Sequence, residues 1–494
     1  MTRTWASVLG ASAVLLAGCE GAAGGEDART TGVDAPGLDA PGLDAAADDA
    51  FTPGLDAPGL DAPGLDATAA DAFAAGCAHP PPAFDEGISP TRTLHVAVGG
   101  TGDGSEAAPF GDLEAAVRAA TPGTEILVHA GTHPGGHYVE NVHGTATAPI
   151  WIRGEEGAVI DAAGAGEVLH VTEASHLVIE GLELRGSSAN GLNIDDGGTP
   201  ETPTHHVVMR DLWVHDVGTG GNNDCIKLSG LDDSMVLDSR IGDCRAGDAI
   251  DHVGCHRMLI HGNTIEATPG GGVQMKGGSS DNVIHGNRFL EVAGRAINAG
   301  GSTGLEFFRP LDAPFEAARI HVVVNLFERG GADSGAAIAF VGCDACTFVH
   351  NTVFEPRTWV ARILQESTDA RFVPSRNGVF ANNLVVFRDA DLRTFFNVGG
   401  GTAPETFRVS NNLWYALDDP GFTGPVVSDG LPAETGSIFG MDPALELPDH
   451  RPCTGGPAHR AAGDFDPVYD QRDGACWPSA PRTIGSLEAD SCTL

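Results

Sequence analysis

The sequence predicts an all-β solenoid, and three observations carry that prediction. Between Asp224 and Gly301, four short apolar segments repeat: Asp224-Cys225-Ile226-Lys227-Leu228, Asp248-Ala249-Ile250-Asp251-His252, Gly271-Gly272-Val273-Gln274-Met275 and Arg295-Ala296-Ile297-Asn298-Ala299. They put Ile226, Ile250, Val273 and Ile297 in one column at steps of 24, 23 and 24 residues, beside a polar column of Lys227, Asp251, Gln274 and Asn298. A second column, Asn263 and Asn287, keeps the same step of 24. Two columns sharing one period mean stacked coils. The third observation is composition: 68 glycines with only 6% aromatic residues suit many short strands and tight turns, where glycine supplies backbone angles that other residues resist.

Taken from the N-terminus, residues 1–18 read as a signal peptide. Arg3 gives a short positive region, and Trp5 to Leu16 an apolar run too short to span a bilayer. Leu16-Ala17-Gly18-Cys19 resembles the bacterial lipoprotein signal, which implies lipidation of Cys19 and a place in the cell envelope, at the outer membrane or cell surface. Residues 19–84 repeat Asp-Ala-Pro-Gly-Leu between Ala and Asp. Such a segment buries no apolar surface, proline blocks helices and the acids repel, so it reads as a solvated tether. Single Asp residues five apart are poor calcium ligands, because several oxygens must converge on one ion.

Residues 85–445 read as the solenoid. Leu94-His95-Val96-Ala97-Val98 alternates as a strand, and Asp112 to Ala120 forms a short amphipathic helix with acids in its first turn. Pro122-Gly123 stops that helix and Glu125-Ile126-Leu127-Val128 resumes the strand pattern. A helix here caps the open end of a stack. The asparagine column continues through Asn325, Asn351, Asn383 and Asn412, and reads as a structural ladder of side-chain amides bonding from coil to coil. Its spacing widens after Asn287, so loops bulge from the later coils, including Leu305 to Ala318. Residues 446–494 read as an irregular tail.

Ten cysteines, less Cys19, leave an odd number. Export permits disulfides. Cys453 with Cys476 is the first pairing to expect, and Cys343-Asp-Ala-Cys346 reads as a stapled turn or two free thiols; the connectivity is otherwise open. The formal charge of −39 excludes nucleic acid as a partner. It also opposes polyanionic glycans unless a cation bridges the two.

The Gly-rich opening, the capping helix, Pro122-Gly-Thr-Glu-Ile-Leu-Val128, the period and the asparagine column resemble right-handed parallel β-helix proteins of the pectate lyase-like superfamily, over about Thr93 to Asp442. The tail, with Asp464, Asp466, Asp473-Gly474 and Arg482 to Glu488, resembles the ending of bacterial members. The resemblance implies a single-stranded right-handed parallel β-helix and a polysaccharide or other glycan as partner. A monomer is expected.

Neighbouring parallel strands lie about 4.8 Å apart, so Lys227 and Asp251 project as neighbours on an exposed strip. Asp224 and Asp248 stack at the turn before them; Asn190 and Asn193 begin the strip, and Gln274, Arg295 and Asn298 continue it. Later coils, with Ala339 in the same column, lack such residues. β-Elimination on a uronate needs neutralisation of the substrate carboxylate, a base for the α-proton and a route for the leaving oxygen. Calcium held by Asp224, Asp248 and Asp251 would supply the first. Lys227 among those anions is held protonated, and becomes a base only if the metal reverses the local field.

The pattern resembles calcium-dependent family-nine pectate lyases, in which an Asp-x-x-Asp coil pairs with a Lys-bearing coil. Asp248-Ala-Ile-Asp251 matches the first, and Asn223 to Lys227 approximates the second. The order departs, since Lys227 precedes the Asp pair; the following coil carries Gln274 in that place and Lys276 two residues on. The candidate catalytic residues are therefore Lys227, Lys276 and Arg295, with Asn190, Asn193, Gln274 and Asn298 toward substrate. Three readings result: a calcium-dependent uronate lyase, a non-catalytic glycan-binding or adhesive surface protein, and a glycoside hydrolase using the three carboxylates. Equally, Asp224 and Asp248 can serve only to shape turns. His252 and His256 follow closely but read as scattered histidines rather than ligands.

Overall fold

Each short β-branched segment supplies one parallel strand, and each polar, glycine-rich segment turns the chain to the next face of the coil. In the computed structural model the described residues are 79–492, apart from 246, 333, 425, 427–429, 466–470, 473–474 and 477–480. They all fall in the compact unit from Ala62 to Leu494. Cys19, the leader, nearly all of the acidic repeat, and Asp466, Asp473 and Gly474 lie outside the described residues.

The fold is a right-handed parallel β-helix. Among the described residues the strands form a 22-stranded sheet, a 12-stranded sheet from Gly131–Pro134 to Ile438–Phe439, a small sheet of Ser279–Ser280, Ala317–Ala318 and Cys343–Asp344, and two antiparallel pairs in the tail. The predicted register is the observed one: Ile226 pairs with Ile250, Ile250 with Val273, and Val273 with Ile297. All four side chains are fully buried in the core.

Helix Leu113–Ala119 closes the N-terminal end. Asp112 accepts from the Glu114 amide as its N-cap, and Leu113, Ala116 and Val117 are buried. The chain is packed from Ala83 onward, because Asp85 binds both Trp151 Nε1 (3.1 Å) and the Arg210 guanidinium (2.9 and 2.8 Å).

The asparagine column is a continuous ladder from Asn263 through Asn287, Asn325, Asn351 and Asn383 to Asn412. Each Oδ1 beyond the first accepts both the backbone N–H and the Nδ2 of the asparagine one coil back, at 2.8–3.3 Å. The remaining amide hydrogens go to carbonyls such as Ile260 O and Ile284 O. The buried turn is thereby satisfied without water. A stack of rings, Phe289, Phe327, Phe348 and Phe380, runs inside the core at 4.7–5.3 Å between neighbouring centroids.

One cysteine expectation changes. Cys453 bonds Cys492 rather than Cys476, and Cys225 bonds Cys244, a pairing not foreseen; Cys343 and Cys346 staple their own turn. The sequence interval could not choose among partners that lie far apart in the chain. Among the described residues Cys255 is the free, buried thiol. The tail returns along the helix: Ser486 N–H donates to Thr352 Oγ1 (3.0 Å), and Ile484 is fully buried.

Candidate functional site

The stacked register draws one polar residue from each coil into a single row. It runs Tyr138, His170, Asn193, Lys227, Asp251, Gln274, Asn298, Ala339, Arg362, Asn397. Adjacent members are about 4.8 Å apart, the spacing of parallel strands. The row is the floor of a groove rather than an exposed strip: Asp224 and Asp251 are 0% exposed, and Lys227 and Lys276 keep 18% and 12% of their side chains in solvent. The expectation of exposure fails because long side chains arch over short ones. Asp251 is one carbon shorter than Glu, and ammonium-bearing chains from the coils on both sides close over it.

The centre is a carboxylate between two lysines. Lys227 Nζ donates to Asp251 Oδ2 (2.5 Å) and to Asp224 Oδ2 (2.9 Å). Lys276 Nζ stands 3.2 Å from Asp251 Oδ1, close enough to pair but not aligned as a hydrogen bond, and donates to Gln274 Oε1 (3.2 Å). Burial alone would raise the Asp251 carboxyl; Lys276 and Lys227 outweigh it and hold the group down at about 2. Burial likewise favours neutral Lys227, but Asp251 and Asp224 overcome it and hold the ammonium well above its usual range. Lys227 in this setting is a fixed cation.

Asp224 and Asp248 do shape the turn, as one of the sequence readings has it, but through bonds from coil to coil rather than local ones. Asn190 Oδ1 accepts the Asp224 amide, Asp224 Oδ1 the Asp248 amide, and Asp248 Oδ1 the Gly271 amide, at 2.8, 2.8 and 2.7 Å. This second ladder fixes the turn before the row. Gly271 must lack a side chain, since a Cβ there would meet Asp248 Oδ1. Asp248 carries the penalty: burial, then Asp224 and Asp251, push its carboxyl up to about 7. Burial and Asp251 also raise Asp224, against the pull of Lys227.

Asp224 lies one coil before Asp248 and Asp251, which share a coil, and each of the three has an oxygen engaged by a lysine or a backbone amide. Among the described residues no group of three or more His, Cys, Asp or Glu side chains is arranged to hold a metal ion. In this arrangement the Lys227 ammonium holds the oxygens of Asp224 and Asp251 that a calcium ion would need.

Beyond Gln274 the groove opens into a cleft of about 410 Å³, bordered by Asp248, Gln274, Arg295, Asn298 and Arg362. Arg295 Nη1 donates to Asn298 Oδ1 (3.1 Å) and Nη2 to Glu366 Oε1 (2.7 Å). The structure therefore brings Lys227, Lys276, Asp251, Gln274, Arg295 and Asn298 together. Asn190 belongs to the turn ladder, and Asn193 Nδ2 donates to Glu167 Oε1 (3.0 Å), one coil before Lys227 and three before Lys276. His252 points into the core, fully buried, and burial pushes it down to about 4; His256 bonds Ser280 Oγ (3.1 Å) away from the cluster.

Three features escaped the sequence. Arg362 continues the row after Ala339, so the later coils are not devoid of charge. His170 sits between Asp195 (2.6 Å) and Glu167 (2.9 Å), which outweigh burial and raise it to about 9. A step of 23 residues back from Asn193 would have found it. Glu316, fully buried, gathers the amides of Gly277 and Thr303 (3.0 Å each) and the hydroxyls of Thr303 and Ser367. It pins the inserted loop against the turn that follows Lys276.

A family model described as a right-handed β-helix region matches residues 167–370. The crystal structure of pectate lyase Pel9A superposes with a TM-score of 0.52 at 15% identity, covering 82% of this chain and 98% of that one. An alginate lyase from Paenibacillus sp. FPU-7 gives 0.42 at 20% identity, over 63% and 99%, and a GH136 lacto-N-biosidase from Eubacterium ramulus gives 0.48 at 16%, over 70% and 67%. At these identities the likeness is one of fold. No curated protein matches the chain.

Proposed function

We propose that the chain acts on a uronate-bearing polysaccharide and cleaves it by β-elimination at the Lys227–Asp251–Lys276 cluster. One observation carries the reading: a fully buried carboxylate flanked by two ammonium groups in the floor of an open groove. Enclosing three charges is expensive, and apolar residues would fill the same space with equal or better stability. Pectate lyase Pel9A, which shares the fold, supports polysaccharide as the ligand class.

The roles divide by geometry. Lys227 is clamped by two carboxylates and stays charged, so it suits stabilisation of the negative charge that develops on the substrate carboxylate. Lys276 faces one carboxylate and, as the neutral amine, would be the base for the proton α to that group. The electron pair of the broken C–H bond forms the new double bond, and the glycosidic C–O bond breaks. The leaving oxygen takes a proton, for which Asp248, near 7 and bordering the cleft, is placed. Calcium belongs to this proposal only in exchange for the Lys227 ammonium; when bound it would neutralise the substrate carboxylate. Lipidation of Cys19 would hold the protein at the cell envelope.

A hydrolase reading draws on the split between Asp248 near 7 and Asp251 near 2, which resembles an acid and its conjugate partner. The product separates the two. The full chain is incubated with pectate, alginate, glucuronan and chondroitin, with calcium and with chelator. The lyase reading expects ultraviolet absorbance from the unsaturated uronate, reduced about 10²- to 10⁴-fold in Lys276→Ala. New reducing ends without that chromophore support the hydrolase, and no cleavage of any polymer overturns both.

A further inference from the structure

We propose that Arg295 and Arg362 form a carboxylate-binding subsite in the cleft beyond the lysine pair, so that the protein selects an acidic glycan several sugar units long. This rests on the reading of the groove as a polysaccharide site.

The chain has 67 acidic and 28 basic residues, so a cation can easily be given a protein partner. Arg362 is not given one. Nε donates to Asn397 Oδ1 (3.0 Å) and Nη1 to Ser334 O (3.1 Å), both neutral, and among the described residues no carboxylate lies within ion-pair distance. Its guanidinium is stacked 4.3 Å above the Trp359 ring, which fixes the plane of the fork. Arg295 borders the same cleft, held by Asn298 and Glu366. Burial, and after it the charge of Arg295, push Arg362 down to about 10, and Glu366, which pairs with Arg295, offsets them only in part.

An anion from outside relieves that repulsion. A planar guanidinium pair, held rigid and partly desolvated, matches a carboxylate better than a neutral hydroxyl. The two arginines sit two coils apart, about 10 Å, and Arg362 is three coils from Lys276, about 14 Å. An extended polyuronate running along the row, with sugars about one strand spacing apart, places carboxylates two and three units apart at comparable intervals. The cleft thereby answers the objection from net charge: the molecule is acidic as a whole, but Arg362 offers this cleft a cation not already paired with a carboxylate.

Titration calorimetry on the full chain tests the proposal, with uronate dimers and hexamers from each polymer above and with the same hexamers after reduction of their carboxyls to alcohols. Arg362→Gln, and separately Arg295→Gln, should weaken acidic hexamers at least tenfold, in keeping with a lost charge-assisted hydrogen bond. Dimers and reduced hexamers should change by less than about twofold. Equal losses on the reduced hexamer, no loss in either variant, or no wild-type binding to any acidic hexamer would overturn it. Binding that depends on the arginines without an unsaturated product defeats the lyase reading alone.

Discussion

Replacing Asp251 with Asn is the most informative single change. The side chain keeps its shape but loses its charge, and Lys227 and Lys276 then face each other across a neutral amide. Lys227 retains Asp224 at 2.9 Å, whereas Lys276 keeps only Gln274 at 3.2 Å. Breaking a buried ion pair by removing one partner costs about 3–5 kcal/mol, and the remaining Asp224 contact places this case near the lower end. For a folded body of about 400 residues, unfolding entropy of roughly 2 cal/mol/K per residue converts 3 kcal/mol to about 4 °C in Tm.

The pH dependence gives a second readout. Asp251 is held near 2 against an ordinary value of 3.8, so its contribution is present above the ordinary value and disappears as pH falls through 2. The Tm gap between wild type and Asp251→Asn should thus close between about pH 4 and pH 2. Replacing all four charges, as Asp251→Leu with Lys227→Met, Lys276→Met and Asp224→Asn, should recover most of the lost stability. Differential scanning calorimetry at pH 7 and pH 2.5 measures all of this. A pH 7 Tm for Asp251→Asn within 1 °C of wild type, about a quarter of the expected shift, would refute the account of a desolvated charge cluster.

Four further outcomes are expected. Asn325→Ala removes the acceptor for the Asn287 amide at 2.8 Å and for its side chain at 3.0 Å, and should cost about 2–4 kcal/mol in denaturant unfolding. Asp248→Asn retains an oxygen for the Gly271 amide but not the charge. Because the raised carboxyl contributes stability that is lost as pH climbs from 3.8 through 7, the variant should gain a few degrees of Tm over wild type by pH 8 and nothing near pH 3.5. Lys227→Met frees oxygens of Asp224 and Asp251, so millimolar calcium should raise its Tm more than that of wild type; an equal shift would show that ion and ammonium do not compete. Metabolic fatty-acid labelling of the full chain should be lost in Cys19→Ala, and retention of label would refute the lipoprotein reading.

The amino-acid sequence alone determined everything that repeats. Where coils hold a period of 23 or 24, identical duties recur at identical offsets, so the core column, the asparagine ladder and the neighbours Lys227 and Asp251 could be read directly. The capping helix was equally legible, since its N-cap and its stop are local. Tertiary structure decided what depends on depth and on pairing across insertions. Asp251 is buried because lysines from two other coils close over it, which no local pattern encodes. Arg362 entered the row because an insertion makes the step from Asn298 to Ala339 41 residues, and only strand pairing restores the register afterwards. Cys453 found Cys492 for the same reason: a disulfide needs proximity in space, and sequence distance specifies that only where the chain is periodic.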